Sequence, residues 1–313
     1  MNIVCCTDHN YVMPTGVMIC SVCVNNHQSK VDFHVICNDD VTDEDKVDLT
    51  NIVNQYNHRI FFYSVNIQVP ECFTVNKEGQ PKHITISSYY RLFLVQILPS
   101  DIDKVLYLDC DVVVRHSLQE MYNTDIEDFA VGVVTDMGDG NLNFYNYLRY
   151  SPKYGYFNSG VLLINLSYWK KNNILEEFVN FATQYPERII LHDQDIMNFV
   201  LKDKKKQLPL TYNFQHGFLF KKLGISWEYE DELKEAIKNP YVLHFTGVKP
   251  WIQGCDHPYK NEFMKYKKMT KWNGTPLWKA PRKTFRSIIK KILIDWGVLR
   301  DMKPTFISVS PLS

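Results

Sequence analysis

A chain of 313 residues that is 45% hydrophobic, 14% aromatic and 22% charged, with only 13 glycines and 14 prolines, has the composition of a globular protein with a full core; disorder, collagen and coiled coil are excluded. Its 35 Lys/Arg balance its 35 Asp/Glu, and a formal charge of zero argues against a dedicated nucleic-acid binder. The length suits one large α/β domain or two small ones. Residues 2–7 predict a short buried strand, 11–25 a helix by apolar spacing, and VDFHVIC at 31–37 a second strand. An amphipathic helix is expected over 43–56, opened by Thr42 or Asp43. A third strand follows over 60–65, then a helix over 87–98 that Pro99 ends. Residues 104–114 contain the strand VLYLDCDVVV. This alternation predicts an α/β fold with a mostly parallel sheet covered on both faces. Ligands of such sheets bind beyond the carboxyl ends of the strands. Further strands are expected at 129–134, 160–166 and 241–245, with helices at 171–185 and 194–201.

The zero net charge conceals an asymmetry. Residues 259–304 hold 13 Lys/Arg and 3 Asp/Glu, whereas the preceding 258 hold 22 and 32. The division predicts an acidic body over 1–258 and a basic tail over 259–313. Within 283–299, Phe285, Ile288, Ile289, Ile292, Leu293 and Trp296 follow helical spacing, accompanied by Lys283, Arg286, Lys290 and Lys291. A basic amphipathic helix of this kind reads as an anchor on an anionic membrane surface; the alternative is a helix docked on the protein's own core. The sequence has neither a basic n-region with a cleavage site nor a run approaching the ~20 apolar residues of a membrane span. The expected location is the cytoplasm, peripherally on the inner face of the membrane. Cys5, Cys6, Cys37 and Cys110 lie in apolar runs that read as buried strands. Cys20 and Cys23 form a CxxC within VMICSVCV, and without a second Cys/His pair this reads as helix packing.

The polar residues at element ends carry the chemistry. Asp109-Cys110-Asp111 follows the apolar strand 105–108, and in extended chain residues i and i+2 point to one side. Two charges directly after a buried strand need a reason, and a hard divalent cation carrying phosphate oxygens needs such ligands. The DxD pairs Asp101/Asp103 and Asp193/Asp195 lack that context, and the first reads as a turn cap. His244 closes a strand in HFTGVKPW, followed by Gly247 and Lys249, a backbone and an ammonium suited to a phosphate. Asp109, Asp111 and His244 together make an O,O,N set that suits Mn²⁺ better than Ca²⁺. After the first strand, neither a GxGxxG nor a P-loop follows. Asp8 and Asn10 could bond a base or ribose and Tyr11 could stack on a base, or Asp8 or Asn10 could simply cap the helix. Asn158 and Gln194 could bond sugar hydroxyls, Asp193 could cap the following helix, and Asp136 reads as an exposed carboxylate at a strand end.

The ordered set TDHNY, YYRL at 89–92, KVLYLDCDVVV, YFNSGVLLINL, HDQDI and HFTGVKPW resembles glycosyltransferase family 8, especially its bacterial lipooligosaccharide and lipopolysaccharide α-galactosyl- and glucosyltransferases. The resemblance covers about residues 1–255 and implies a GT-A fold, a single Rossmann-like mixed sheet flanked by helices. It implies transfer of galactose or glucose from a UDP-sugar, with retention, to a saccharide acceptor that is lipid-linked. By matching motifs, Asp109, Asp111 and His244 would hold Mn²⁺ or Mg²⁺. Thr7, Asp8, Asn10 and Tyr11 would hold the uridine, with Cys110 beside them. Arg91, Asp109, Asn158, Asp193 and Gln194 would face the donor sugar, and Gly247 and Lys249 the diphosphate. Asp136 would lie toward the acceptor. The residue matched beneath the anomeric carbon is Gln194, a poor nucleophile, which favours same-face attack with Gln194 stabilising positive charge, rather than a carboxylate displacement. Two other readings compete. A sugar-1-phosphate nucleotidyltransferase would need a Gly-rich basic loop after the first strand. A noncatalytic UDP- or carbohydrate-binding protein of the same fold would be expected to have lost the metal carboxylates, and both are present.

Overall fold

A computed structural model of the protein describes residues 1–65, 70–73, 86–221, 224–280 and 306–307. The first half runs β1 (Asn2–Thr7), α1 (Val12–Asn25), β2 (Asp32–Cys37), α2 (Asp43–Asn54), β3 (Arg59–Ser64), α3 (Leu94–Ile97), β4 (Lys104–Leu108) and β5 (Val112–Val114). It continues through α4 (Gln119–Asn123), β6 (Val131–Thr135), α5 (Leu142–Leu148), β7 (Phe157–Asn165), α6 (Leu166–Lys171), α7 (Ile174–Gln184) and α8 (Asp193–Leu201). The rest comprises β8 (Lys205–Gln207), β9 (Phe214–Gln215), α9 (Glu230–Lys238), β10 (Val242–His244) and α10 (Lys260–Lys267).

Seven strands form one sheet in the order β3-β2-β1-β4-β7-β6-β8. β1 to β4 are mutually parallel, but β7 runs antiparallel to both β4 and β6, so the sheet is mixed. Strands buried on both faces read as continuous apolar runs. In β1, Ile3 and Cys5 enter one core layer while Val4 enters the other. α1 and α2 cover the first face. Thr42 starts α2 with a capping box: its hydroxyl accepts from Asp45 N at 3.1 Å, and Asp45 accepts from Thr42 N at 2.9 Å. α6, α7 and α8 cover the second face with Trp169, Phe178 and Ile196. Cys20 and Cys23 are buried in α1 as free thiols, their pKa values raised by burial, whereas Cys6 and Cys110 are only half-buried.

The expected strand across 104–114 is two strands in two sheets. After Leu108 the chain turns through Asp109-Cys110-Asp111, and β5 then pairs antiparallel with β10 in a second sheet, β5-β10-β9. The expected helix over 87–98 is a 3₁₀ helix, Ile86–Phe93, followed by the single turn α3. α10 packs on α1, with Phe263 and Tyr266 in the core. The predicted amphipathic helix over 283–299 lies outside the described residues.

Candidate functional site

The sheet change at 109–111 produces the site. Asp109 N donates to Gly160 O at 2.8 Å on the large sheet, and Phe245 N donates to Asp111 O at 3.0 Å on the small one. The two carboxylates therefore meet at a turn between sheets rather than by the pleat of one strand. His244, the last residue of β10, completes the cluster. One ligand atom from each of Asp109, Asp111 and His244 lies within 4.8 Å of the others. His244 Nε2 is 3.2 Å from Asp111 Oδ1 and 3.8 Å from Asp109 Oδ2. His244 Nδ1 donates to Asn213 Oδ1 at 2.8 Å, which leaves Nε2 free to ligate. Gly160 fits behind this trio because it has no side chain: a Cβ there would stand 2.3 Å from His244 Cε1 and 2.5 Å from Asp109 Oδ2. Two hard carboxylates and one oriented imidazole suit a divalent cation that keeps open positions.

Arg91, buried in the 3₁₀ helix, organises the adjoining groups. Its guanidinium pairs with Asp109 Oδ1 at 2.9 Å and Asp193 Oδ2 at 3.1 Å, and donates to Ser159 O at 2.7 Å. It also lies over the Tyr107 ring, 4.4 Å from its centroid, and Tyr107 OH donates to Asp109 Oδ1 at 3.1 Å. Asp109 Oδ1 is thus occupied from two sides, and Oδ2 is the oxygen turned to the cluster. Burial raises the Asp193 carboxyl to about 6, against the opposing pull of Arg91. For Asp111, burial acts upward but Lys249 and His244 outweigh it and hold the carboxyl well below its ordinary range. The Lys249 ammonium pairs with Asp111 and donates to Phe245 O at 2.8 Å.

Gln194, Asn158 and Asp136 form one bonded group. Ser159 N and Asn158 Nδ2 donate to Gln194 Oε1 at 3.0 and 3.3 Å, and Asn158 Nδ2 also donates to Asp136 Oδ2 at 3.1 Å. Gln194 Nε2 reaches Asp136 Oδ2 at 3.3 Å. The expectation that Asp136 is exposed is corrected: it is 7% exposed, because Gly138 N, Asn158 and Gln194 all turn inward to bond it, and burial raises its pKa. Asn213 Nδ2 donates to Asn158 Oδ1 at 2.9 Å and so links this group to His244. Asp193 does not cap α8 but is its first residue; the capping position is His192, held at φ 54°. A non-glycine residue there is strained, and such strain persists only where its surroundings impose it. Asp195 helps impose it: wholly buried, it accepts from Ile190 N at 2.7 Å, Leu191 N at 2.6 Å, Tyr147 OH at 2.9 Å and Tyr156 OH at 2.7 Å.

Thr7, Asp8, Tyr11, Arg91, Asp109, Cys110, Asp111 and Lys249 line one pocket. Asp8 lines the pocket and also caps the 3₁₀ turn His9–Tyr11, accepting from Tyr11 N at 3.1 Å. Tyr11 is held edge-on by Trp251 and Trp278 at 6.1 and 6.0 Å between ring centroids. Asn10 is exposed and is not brought to the pocket wall, because the 3₁₀ turn points it outward. Gly247 lies against the His216 ring, where a Cβ would come within 2.4 Å. Sequence reasoning missed Asn213, Gly160, Tyr107 and Asp195. Of these, only Asn213 carried no signal, since Gly160, Asp195 and Tyr107 sit inside the FNSG, HDQD and KVLYLDCDVVV motifs.

The fold presents two carboxylates and a histidine at a sheet junction, beside a pocket at the carboxyl ends of the strands, where open α/β sheets bind their ligands, and this two-sheet architecture is the GT-A fold. A family model described as glycosyl transferase family 8 matches residues 2–255. The chain therefore belongs to glycosyl transferase family 8 and is a retaining hexosyltransferase. It is 29% identical over 283 residues to General stress protein A of Bacillus subtilis (strain 168), covering 88% of this chain and 96% of that protein. It is 28% identical over 286 residues to an Escherichia coli lipopolysaccharide 1,2-glucosyltransferase, covering 88% and 80%. Among solved structures, galactosyltransferase LgtC in complex with donor and acceptor sugar analogs superposes with a TM-score of 0.77 at 28% identity, covering 88% of this chain and 99% of that one.

Proposed function

We propose that this chain transfers galactose or glucose from a UDP-sugar to a saccharide acceptor, a lipid-linked surface glycan such as lipooligosaccharide or lipopolysaccharide. The observation that carries this reading is the opening of Asp109, Asp111 and Lys249 into the same pocket as Thr7, Asp8 and Tyr11. Tyr11 would stack on the uracil, with Asp8 bonding the nucleoside. Mn²⁺ or Mg²⁺, held by Asp109, Asp111 and His244, would neutralise charge on the departing diphosphate. Lys249 would leave Asp111 for the diphosphate and add its own positive charge. Arg91 holds Asp109 and Asp193 in place, and Asp193 would bond the sugar hydroxyls.

The bond from the anomeric carbon to the diphosphate oxygen breaks, and the acceptor hydroxyl oxygen forms the new bond on the same face. Its proton passes to the departing phosphate oxygen. Gln194 Oε1, oriented by Ser159 N and Asn158 Nδ2, would face the positive charge that develops on the sugar. Asp136, bonded to Gln194, would orient that amide toward the acceptor side. The basic tail would hold the enzyme against the anionic inner face of the membrane, where a lipid-linked acceptor is presented. No helix among the described residues is long and apolar enough to cross a membrane.

The test is UDP release from a panel of UDP-sugars with Mn²⁺, with Mg²⁺ or with EDTA. Metal-dependent turnover of UDP-galactose or UDP-glucose is expected. Absence of both turnover and UDP binding would overturn the reading. For the tail, co-sedimentation with anionic vesicles should be lost when Lys283, Arg286, Lys290 and Lys291 are all changed to Glu; retained sedimentation would refute the anchor.

A further inference from the structure

The matched family region ends at residue 255, yet Trp278 rests on the loop that follows β10, and Phe306 rests mainly on the segment from His216 to Phe220. Trp278 N donates to Trp251 O at 2.8 Å, and Trp278 O accepts from Gln253 N at 2.9 Å. Its ring packs edge-on against Trp251 at 5.9 Å as well as against Tyr11. Phe306, beyond the basic stretch, bridges to Phe220, and Ile307 N donates to Leu219 O at 2.8 Å. The Phe306 ring packs on His216 at 5.4 Å, on Phe220 at 5.7 Å and on His257 at 6.0 Å.

His216 is the contact that reaches the site. It directly follows Gln215, which pairs with His244 in the small sheet. Its ring fills the space beside Gly247, where a Cβ would stand 2.4 Å from His216 Cε1 and 2.5 Å from Nδ1. The imidazole therefore sets how deep the backbone at 247 can pass, two residues before Lys249. Phe306 closes the imidazole from another side. An aromatic ring packed behind a contacting group limits its motion without touching the ligand, as outer partners do for metal ligands.

We propose that Phe306 is a positioning residue for the diphosphate part of the donor site: it backs His216, which fixes the path of Gly247 and so the reach of Lys249. The inference rests on the UDP-sugar reading above. It ties Phe306, which lies outside the residues 2–255 that the family model matches, to the donor site through His216.

The test uses the full-length protein and compares equilibrium binding of UDP with Mn²⁺, uridine alone and Mn²⁺ alone. Phe306→Ala should weaken UDP roughly 10-fold, the scale of losing an outer partner. Uridine and Mn²⁺ should bind as in the parent, and Phe306→Tyr should restore UDP affinity. Truncation after residue 305 should repeat the alanine result, which covers the case of a substitution that fails to fold. Unchanged UDP affinity in Phe306→Ala and in the truncated chain would overturn the proposal. So would a parallel loss of UDP, uridine and Mn²⁺ binding with a lowered melting temperature, since that is general loosening. A parent chain that binds no UDP overturns the donor-site reading itself, and this inference with it.

Discussion

Gly160→Ala offers a sharp test of the site geometry. The added methyl would stand 2.3 Å from His244 Cε1 and 2.5 Å from Asp109 Oδ2. Carbon contacts settle near about 3.5–4.0 Å, so each group would have to retreat by about 1 Å. Neither retreats freely: His244 is tied to Asn213 at 2.8 Å, and Asp109 is tied to Arg91 at 2.9 Å and Tyr107 at 3.1 Å. Overpacking of this kind costs about 1–3 kcal/mol, or a few degrees of melting temperature at ~2–4 °C per kcal/mol. A displacement of about 1 Å at a reacting centre can cost roughly 100-fold in rate. The variant should therefore bind Mn²⁺ at least ~10-fold more weakly by titration calorimetry, as perturbed ligand shells do. Its kcat/KM should fall about 100-fold. Gly132→Ala is the control on neighbouring β6. Its Cβ would meet Leu208 Cδ1 at 3.1 Å and Leu163 Cβ at 3.3 Å, aliphatic groups remote from the trio. It should lose stability while keeping metal affinity. Parental Mn²⁺ affinity and turnover in Gly160→Ala would refute the argument that this glycine makes room for the cluster of Asp109, Asp111 and His244.

Asn213→Ala removes the acceptor that orients His244, and Mn²⁺ affinity should drop ~10–100-fold with the fold retained; parental affinity would show that Asn213 does not set the imidazole. Turnover should decline as the pH falls through about 6, because protonated Asp193 loses its pairing with Arg91. Asp193→Asn should be slow at every pH and lack that limb, and a limb that persists in it must be reassigned. The stability effect runs the other way: the folded value of about 6 lies above the ordinary 3.8. The group's stabilising contribution is thus present below about 4 and lost as the pH rises through about 6. The pH dependence of melting should shrink accordingly in Asp193→Asn. Asp195→Asn leaves a single acceptor oxygen for two phenols and two amides. It should lower the stability by about 1–3 kcal/mol and reduce kcat more than UDP affinity, as read by melting and steady-state kinetics. An unchanged kcat would detach Asp195 from the strained His192 turn.

The elements legible in the sequence were those whose signal is local. β1, β2 and β3 are apolar runs between turn residues, and α2 opens on a Thr42 cap, so each follows from its own few residues. Asp109, Asp111 and His244 were legible for a similar reason, since charged or imidazole groups at the ends of apolar strands stand out against their neighbours. Asn213 was not, because nothing around it distinguishes an asparagine that orients His244 from one in a loop. Arg91 showed in YYRL as a motif residue, but its burial between Asp109 and Asp193 requires two segments far from it in sequence.

The sequence by itself determined an α/β chain, the chemical types in the site and the basic excess of residues 259–304, because composition, periodicity and ordered motifs depend on local residues alone. Only the tertiary structure decided where the apolar run VLYLDCDVVV breaks. Both halves are equally suited to a strand, and the break falls at Asp109–Asp111 because β7 claims the first half and β10 the second. It likewise decided that Asp136 is buried, that Asn10 faces outward and that Phe306 returns to His216. Each of these depends on which distant surface supplies the hydrogen bonds and packing, and that is a property of the assembled sheets.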